Sequence, residues 1–112
     1  MKYALLIHED HANYKDEDGW NEIIRRHEAF GEAHASAIVG GEGLNGPETA
    51  TTLHRKGEET MVHDGPFAEA REQLGGFYLV EVASLDEAMA IAKDIPFAGD
   101  GSVEIRPCIG EG

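Results

Sequence analysis

Basic residues are scarce: nine Lys and Arg stand against 22 Asp and Glu in 112 residues, a formal net charge of −13. A chain of that charge repels phosphate backbones and anionic headgroups, so nucleic-acid and membrane partners are disfavoured. Cysteine occurs once, as Cys108. That excludes an internal disulfide and fits a reducing compartment, with the cytoplasm as the default expectation. No apolar run is long. Met1-Lys2-Tyr3-Ala4-Leu5-Leu6-Ile7 is closed by His8, Glu9 and Asp10, far short of a secretory or membrane-spanning core, and reads as a first strand. Neither a repeat nor a Pro- or Ser-rich linker divides the chain, so a single domain over residues 1–112 is expected. There is also no strand-linked G-x-G-x-x-G, no P-loop and no zinc-ligand spacing. No cofactor is therefore expected, and any chemistry has to run on side chains.

Hydrophobic residues make up 41% of the composition, enough for one globular core. Residues 2–8 read as a buried strand. From Asp18 to Ile38, Trp20, Ile23, Ile24, Phe30, Ala37 and Ile38 recur at helical spacing, and Gly40-Gly41 supplies a stop, which predicts a long first helix. Residues 42–48, with Gly43, Gly46 and Pro47, read as a loop or irregular edge. Residues 49–54 and 59–63 form two β-prone runs joined across Lys56-Gly57, a hairpin. Pro66 suits a first helical position, so residues 67–73 are expected to make a brief helical turn. Residues 76–83 are a strong strand. Ser84 with Glu87 is a capping pattern that opens a second helix, whose stripe is Ala88, Ile91, Ala92 and Ile95 and whose stop is Pro96. Residues 102–108 alternate as a last strand.

Strand, helix, hairpin, strand, helix, strand is the order of an α+β, ferredoxin-like antiparallel sheet, with two main helices on one face and an inserted β-hairpin. The two strongest strands are apolar on both sides, whereas an open face in water alternates more cleanly. A homodimer packed sheet to sheet, a dimeric α/β barrel, would cover that face. The alternative is a monomer with a bare apolar sheet.

The stretch from Asp64 to Tyr78, DGPFAEAREQLGGFY, resembles the signature of the DGPF, or YCII-related, proteins. The opening Met1–Ile7, the close Gly101–Pro107 and Gly40-Gly41-Glu42-Gly43-Leu44 are also similar to that family, so the resemblance covers nearly the whole chain. It implies the ferredoxin-like dimeric barrel and, from YCII-like relatives, a His-Asp pair as an acid-base site. One relative is linked to dehydrochlorination of a chlorinated hydroquinone. Where the signature usually has Thr-Lys, this chain has Ala70-Arg71, which removes a hydroxyl and keeps the positive charge.

Asp64 and His27 are the candidate catalytic residues. Asp64, at a strand end before Gly65-Pro66, could serve as a base or orient an imidazole. It could equally be turn chemistry. His27 follows Ile23 by four residues and precedes Phe30 by three, so it points with the apolar stripe. His34, seven residues on, shares that face. Two partly buried, hydrogen-bonded imidazoles at the core edge are the bland reading of the pair, and a proton shuttle beside a cleft is the sharper one. His63 adjoins Asp64, but strand neighbours point to opposite faces. On the strength of the relatives, His27 is the better partner for Asp64. His34, His63 and Arg71 complete the set as substrate-binding candidates.

His8, Glu9, Asp10 and His11 are rich in ligand atoms, but their spacing is no zinc signature and they read as a solvated acidic loop; no metal is expected. Cys108 reads as a structural thiol. Two functions of different class follow. One is a small organic molecule held in a dimer cleft, with His-Asp acid-base chemistry of an isomerase, lyase or dehydrochlorinase kind. The other is a non-catalytic small-molecule-binding or regulatory dimer.

Overall fold

A computed structural model of the chain describes residues 1–110. The fold is α+β: a four-stranded sheet in which every neighbouring pair is antiparallel, two α-helices, and a separate two-stranded hairpin. In chain order the elements are β1 (Lys2–Glu9), α1 (Glu17–Ala33), β2 (Ile38–Gly43), the hairpin β3 (Thr51–Lys56) and β4 (Glu59–Asp64), β5 (Gln73–Glu81), α2 (Leu85–Ala92) and β6 (Gly101–Pro107). The main sheet has the order β2-β5-β1-β6.

The alternation of β1 decides the layers. Tyr3, Leu5, Ile7 and Glu9 are buried on one face, while Lys2, Ala4, Leu6 and His8 lie half-buried on the other. Tyr3 pairs with Val80 and Leu5 with Tyr78 and Ile105, so those side chains share the buried face. Phe30 from α1 and Ala88, Ile91 and Ala92 from α2 join them in one core. Both helices therefore cover the same side of the sheet. On the other side, in register, Leu6 opposes Phe77 and Ala4 opposes Leu79, and all four are half-buried on the face that α1 and α2 do not cover. The molecule is only 19 Å thick along its shortest axis, the depth of one helix layer on one sheet.

Caps behave as their sequences dictate. Asp16 accepts from the backbone N–H of Gly19 at 2.6 Å and opens α1. Ser84 accepts from the N–H of Glu87 at 3.2 Å, and the Glu87 carboxylate accepts from that of Ala83 at 2.8 Å, opening α2.

Three boundaries differ from the sequence expectation. The first helix stops at Ala33, not Ile38, because Ile38 enters an edge strand that pairs with Val80. That strand, β2, takes the expected end of the helix and its Gly40-Gly41 stop and reaches into the stretch read as a loop or irregular edge only as far as Gly43. Its register shifts between Ile38 and Gly40, and Gly41 takes φ 144°, where an added Cβ would stand 2.4 Å from the Phe77 carbonyl oxygen. Residues 67–72 form no helix. The Gln73 side chain donates to the carbonyls of Ala68 and Ala70 at 2.7 and 2.8 Å, and β5 begins there, pairing with Glu9.

The hairpin stands away from the core. Its turn uses Gly57 at φ 63°, as the Lys56-Gly57 reading requires. Leu53, Met61 and Val62 on it are each more than half exposed, and Phe67 just beyond it is 81% exposed. The Cα radius of gyration, 15.7 Å, reflects that projection, since a compact chain of this length has about 13 Å.

Candidate functional site

A cavity of about 580 Å³ opens between α1 and the sheet, on the helix-covered side. Its walls come from one chain, so the cleft that contains His27 is not formed on the open sheet face. β1 supplies Glu9, the segment after it His11 and Tyr14, α1 Trp20 and His27, and β5 Tyr78.

His27 and Tyr78 meet across the cavity. Nδ1 lies 2.8 Å from the phenolic oxygen, and the rings stack at 6.0 Å with 25° between planes. Burial, reinforced by the adjacent Arg26 guanidinium, holds His27 below the usual imidazole pKa of 6.5, and burial pushes the Tyr78 phenol up. Both groups are therefore neutral near pH 7. Two tautomers satisfy the bond. Either the phenol donates to Nδ1 and Nε2–H is left as a donor, or Nδ1–H donates to the phenolic oxygen and Nε2 is left as a base. In each case the pair retains one proton to give and one lone pair to receive.

Glu9 lies at the end of the cavity. The strand alternation that buries Tyr3, Leu5 and Ile7 carries it inward, leaving it 8% exposed. The Tyr14 phenol donates a hydrogen bond to its Oε1. Burial, then this bond, raises Tyr14 to about 12. The β1–β5 register shifts between Ile7 and His8, leaving Gly75 as an extra bulged residue. A Cβ on Gly75 would lie 2.9 Å from Glu9 Oε2 and 3.3 Å from His11 Nε2, so glycine is what lets both side chains fold against the strand. His8 to His11 is thus no solvated acidic loop: His8 faces the open sheet, where its Nε2 is 3.8 Å from Glu104, Glu9 turns inward, and His11 Nδ1 is buried with no hydrogen-bond partner among the described residues.

The remaining sequence candidates lie elsewhere. Asp64 is exposed and lines a neighbouring groove together with Arg71, Asp10 and His11. Among the described residues no hydrogen bond joins it to His27, and the two line different cavities. The turn that Asp64 begins is fixed by its neighbours: Gly65 has φ 132°, its N–H donates to Ala50 at 2.7 Å, and Thr52 Oγ1 donates to its carbonyl at 2.7 Å. His34 shares the His27 face, packing on Phe30 with ring centroids 4.9 Å apart, but its Nε2 is 2.9 Å from the Asp94 carboxylate beyond α2, outside the cavity. His63 stacks on His54 at 5.1 Å on the exposed hairpin. Sequence reasoning missed Glu9, Tyr14 and Tyr78. The signals for two of them were present: the β1 alternation runs one step further to Glu9, and Tyr78 ends the signature stretch on the inward face of β5.

Residues 1–110 match the YCII-related domain. An uncharacterised protein of Rhizobium meliloti (strain 1021), R00369, is 42% identical over 115 residues, covering 96% of this chain and 91% of that protein. The chain belongs to the YCII-related family.

Proposed function

We propose that the protein binds a small organic molecule in the cavity between α1 and the sheet, and that His27 with Tyr78 moves a proton on it in an isomerisation, elimination or lyase-type step. The observation that carries this reading is the His27–Tyr78 hydrogen bond inside a cavity large enough for a small ligand. A neutral imidazole is the form that accepts a proton, and a phenol bonded to it can return one. The buried carboxylate lining the same cavity as this pair is Glu9, so this reading assigns the carboxylate's role to Glu9 in place of Asp64. The test is turnover or ligand binding in His27→Ala and Tyr78→Phe. Loss of either property in a folded variant supports the reading, and folded variants indistinguishable from the parent in both properties refute it.

The assembly proposed for this site is a homodimer. The strand order β2-β5-β1-β6 with both helices on one face fits a ferredoxin-like sheet, and the half-buried Ala4, Leu6, Phe77 and Leu79 on its bare face support pairing with a second copy into a dimeric α/β barrel. The single cysteine favours a cytoplasmic setting. A second reading, a non-catalytic binding dimer, draws support from the signature turn, where Gly65 and its hydrogen bonds fix the chain without engaging the cavity. Asp64→Asn separates the two: loss of dimer or fold favours the second, and an intact dimer whose ligand binding and turnover in the α1 cavity are unchanged favours the first.

A further inference from the structure

The charge and hydrogen-bonding character of the cavity specify more than its volume. Three carboxylates line it, Glu9, Glu28 and Glu42, and among the described residues no Lys or Arg does. The Arg26 guanidinium, on α1 beside His27, donates to the Phe97 carbonyl at 3.1 Å. Glu9 is more than nine-tenths buried, and among the described residues its only hydrogen bond comes from Tyr14 to Oε1. Oε2 is left without a donor. His11 Nδ1, on the same wall, is buried and has no hydrogen-bond partner among the described residues. Oε2 keeps accessible surface and is free to accept from a donor in the cavity, whereas His11 Nδ1 is enclosed by the chain itself. The other walls are aromatic: Tyr14 meets Trp20 edge-on at 5.9 Å, and Tyr78 lines the sheet side. An anion entering here would face three carboxylates with no cationic side chain in the lining and only Arg26 behind His27 and Tyr14, in a protein of net charge −13. An ammonium group brings N–H donors for Oε2, a charge opposite to that of Glu9, and attraction to aromatic faces.

We infer that the cavity selects organic cations, amines in their protonated form, over neutral molecules and against carboxylates or phosphates, with Glu9 as the anchoring carboxylate. This rests on the reading of the cavity as a ligand site.

The experiment compares benzylammonium, benzyl alcohol and benzoate, similar in shape and differing in charge, at neutral pH. Two readouts are followed: fluorescence of Trp20, the only tryptophan in the chain, and backbone amide shifts of Gly75, Gly76 and Tyr78. The expected order is cation, then neutral, then anion, with the cation bound about tenfold or more tighter than benzoate. In Glu9→Gln that advantage should largely vanish while benzyl alcohol binding changes little. Should Glu9→Gln fail to fold, Glu28→Gln and Glu42→Gln, both at exposed positions, serve in its place, each lowering the cation's advantage by a smaller factor. Binding of all three probes in the cavity without that order overturns the inference and leaves the ligand site standing. Absence of any cavity response to all three overturns both.

Discussion

The imidazole of His27, on α1, lies 2.8 Å from the phenol of Tyr78, on β5, and this contact ties the helix to the sheet across the wall of the cavity. Because burial holds His27 below 6.5, the unfolded chain binds a proton there at a higher pH than the folded one does. Between 6.5 and the lower folded value the unfolded state carries more protons, so stability declines as the solution is acidified through that window. Denaturant midpoints measured across it should fall for the parent and fall less for His27→Gln. Equal slopes for the two proteins would mean that His27 is not depressed. NMR titration of the His27 ring should place its midpoint under 6.5.

Tyr14 is displaced in the opposite sense, to about 12. Its neutral form is the one the fold favours, so the stability it contributes is present below the unfolded value of 10 and is lost as pH rises toward 12. Ultraviolet titration of tyrosinate should contain a late step near 12 that Tyr14→Phe removes. Persistence of that step in Tyr14→Phe would assign it to another tyrosine.

Two glycines bordering the cavity are predicted to be intolerant for different reasons. Gly41→Ala sets a side chain at φ 144° and 2.4 Å from a backbone oxygen, so a loss of about 1–3 kcal/mol is expected in equilibrium unfolding. Gly75→Ala meets side chains, Glu9 and His11, which can move. A smaller stability loss is expected there, with the larger effect on ligand binding. The reverse ranking would show that the β2 edge is looser than described and the Glu9 end tighter.

Sedimentation of the parent protein should give a dimer, and Leu79→Lys, which sets a charge on the bare sheet face opposite Ala4, should shift it to monomer while helix and strand content hold. A monomeric parent at micromolar concentration would remove the homodimer from the proposal.

The strands with regular alternation and the capped helix α2 were legible from sequence because local pattern and tertiary burial agree there. β2 was not legible: Ile38-Val39-Gly40-Gly41-Glu42-Gly43 has neither alternation nor bulk, and it becomes a strand only because β5 offers an edge and the glycines admit a bulge. The same divide applies to the site. His27 could be found from helical spacing, since its neighbours Ile23 and Phe30 are both buried. Its pairing with Tyr78 could not, although Tyr78 stands out at the end of the signature stretch, because 51 residues separate the two and only the β1–β5 pairing brings the phenol to that wall. Asp64 drew attention as a carboxylate in a distinctive motif, yet the part of that motif that reaches the cavity is its far end, Gly75-Gly76-Phe77-Tyr78. Glu9 was passed over because a strand end bearing charge resembles a loop when read locally.

The cavity between α1 and the sheet is most directly tested by mapping amide and side-chain shifts of the labelled protein against a library of small organic fragments. Shifts clustering on Glu9, Trp20, His27, Gly75 and Tyr78, and lost in His27→Ala, are the expected result. Shifts centred instead on Asp64, Arg71 and the adjoining groove, with the His27 ring unaffected, would place the functional site in the signature turn and contradict it.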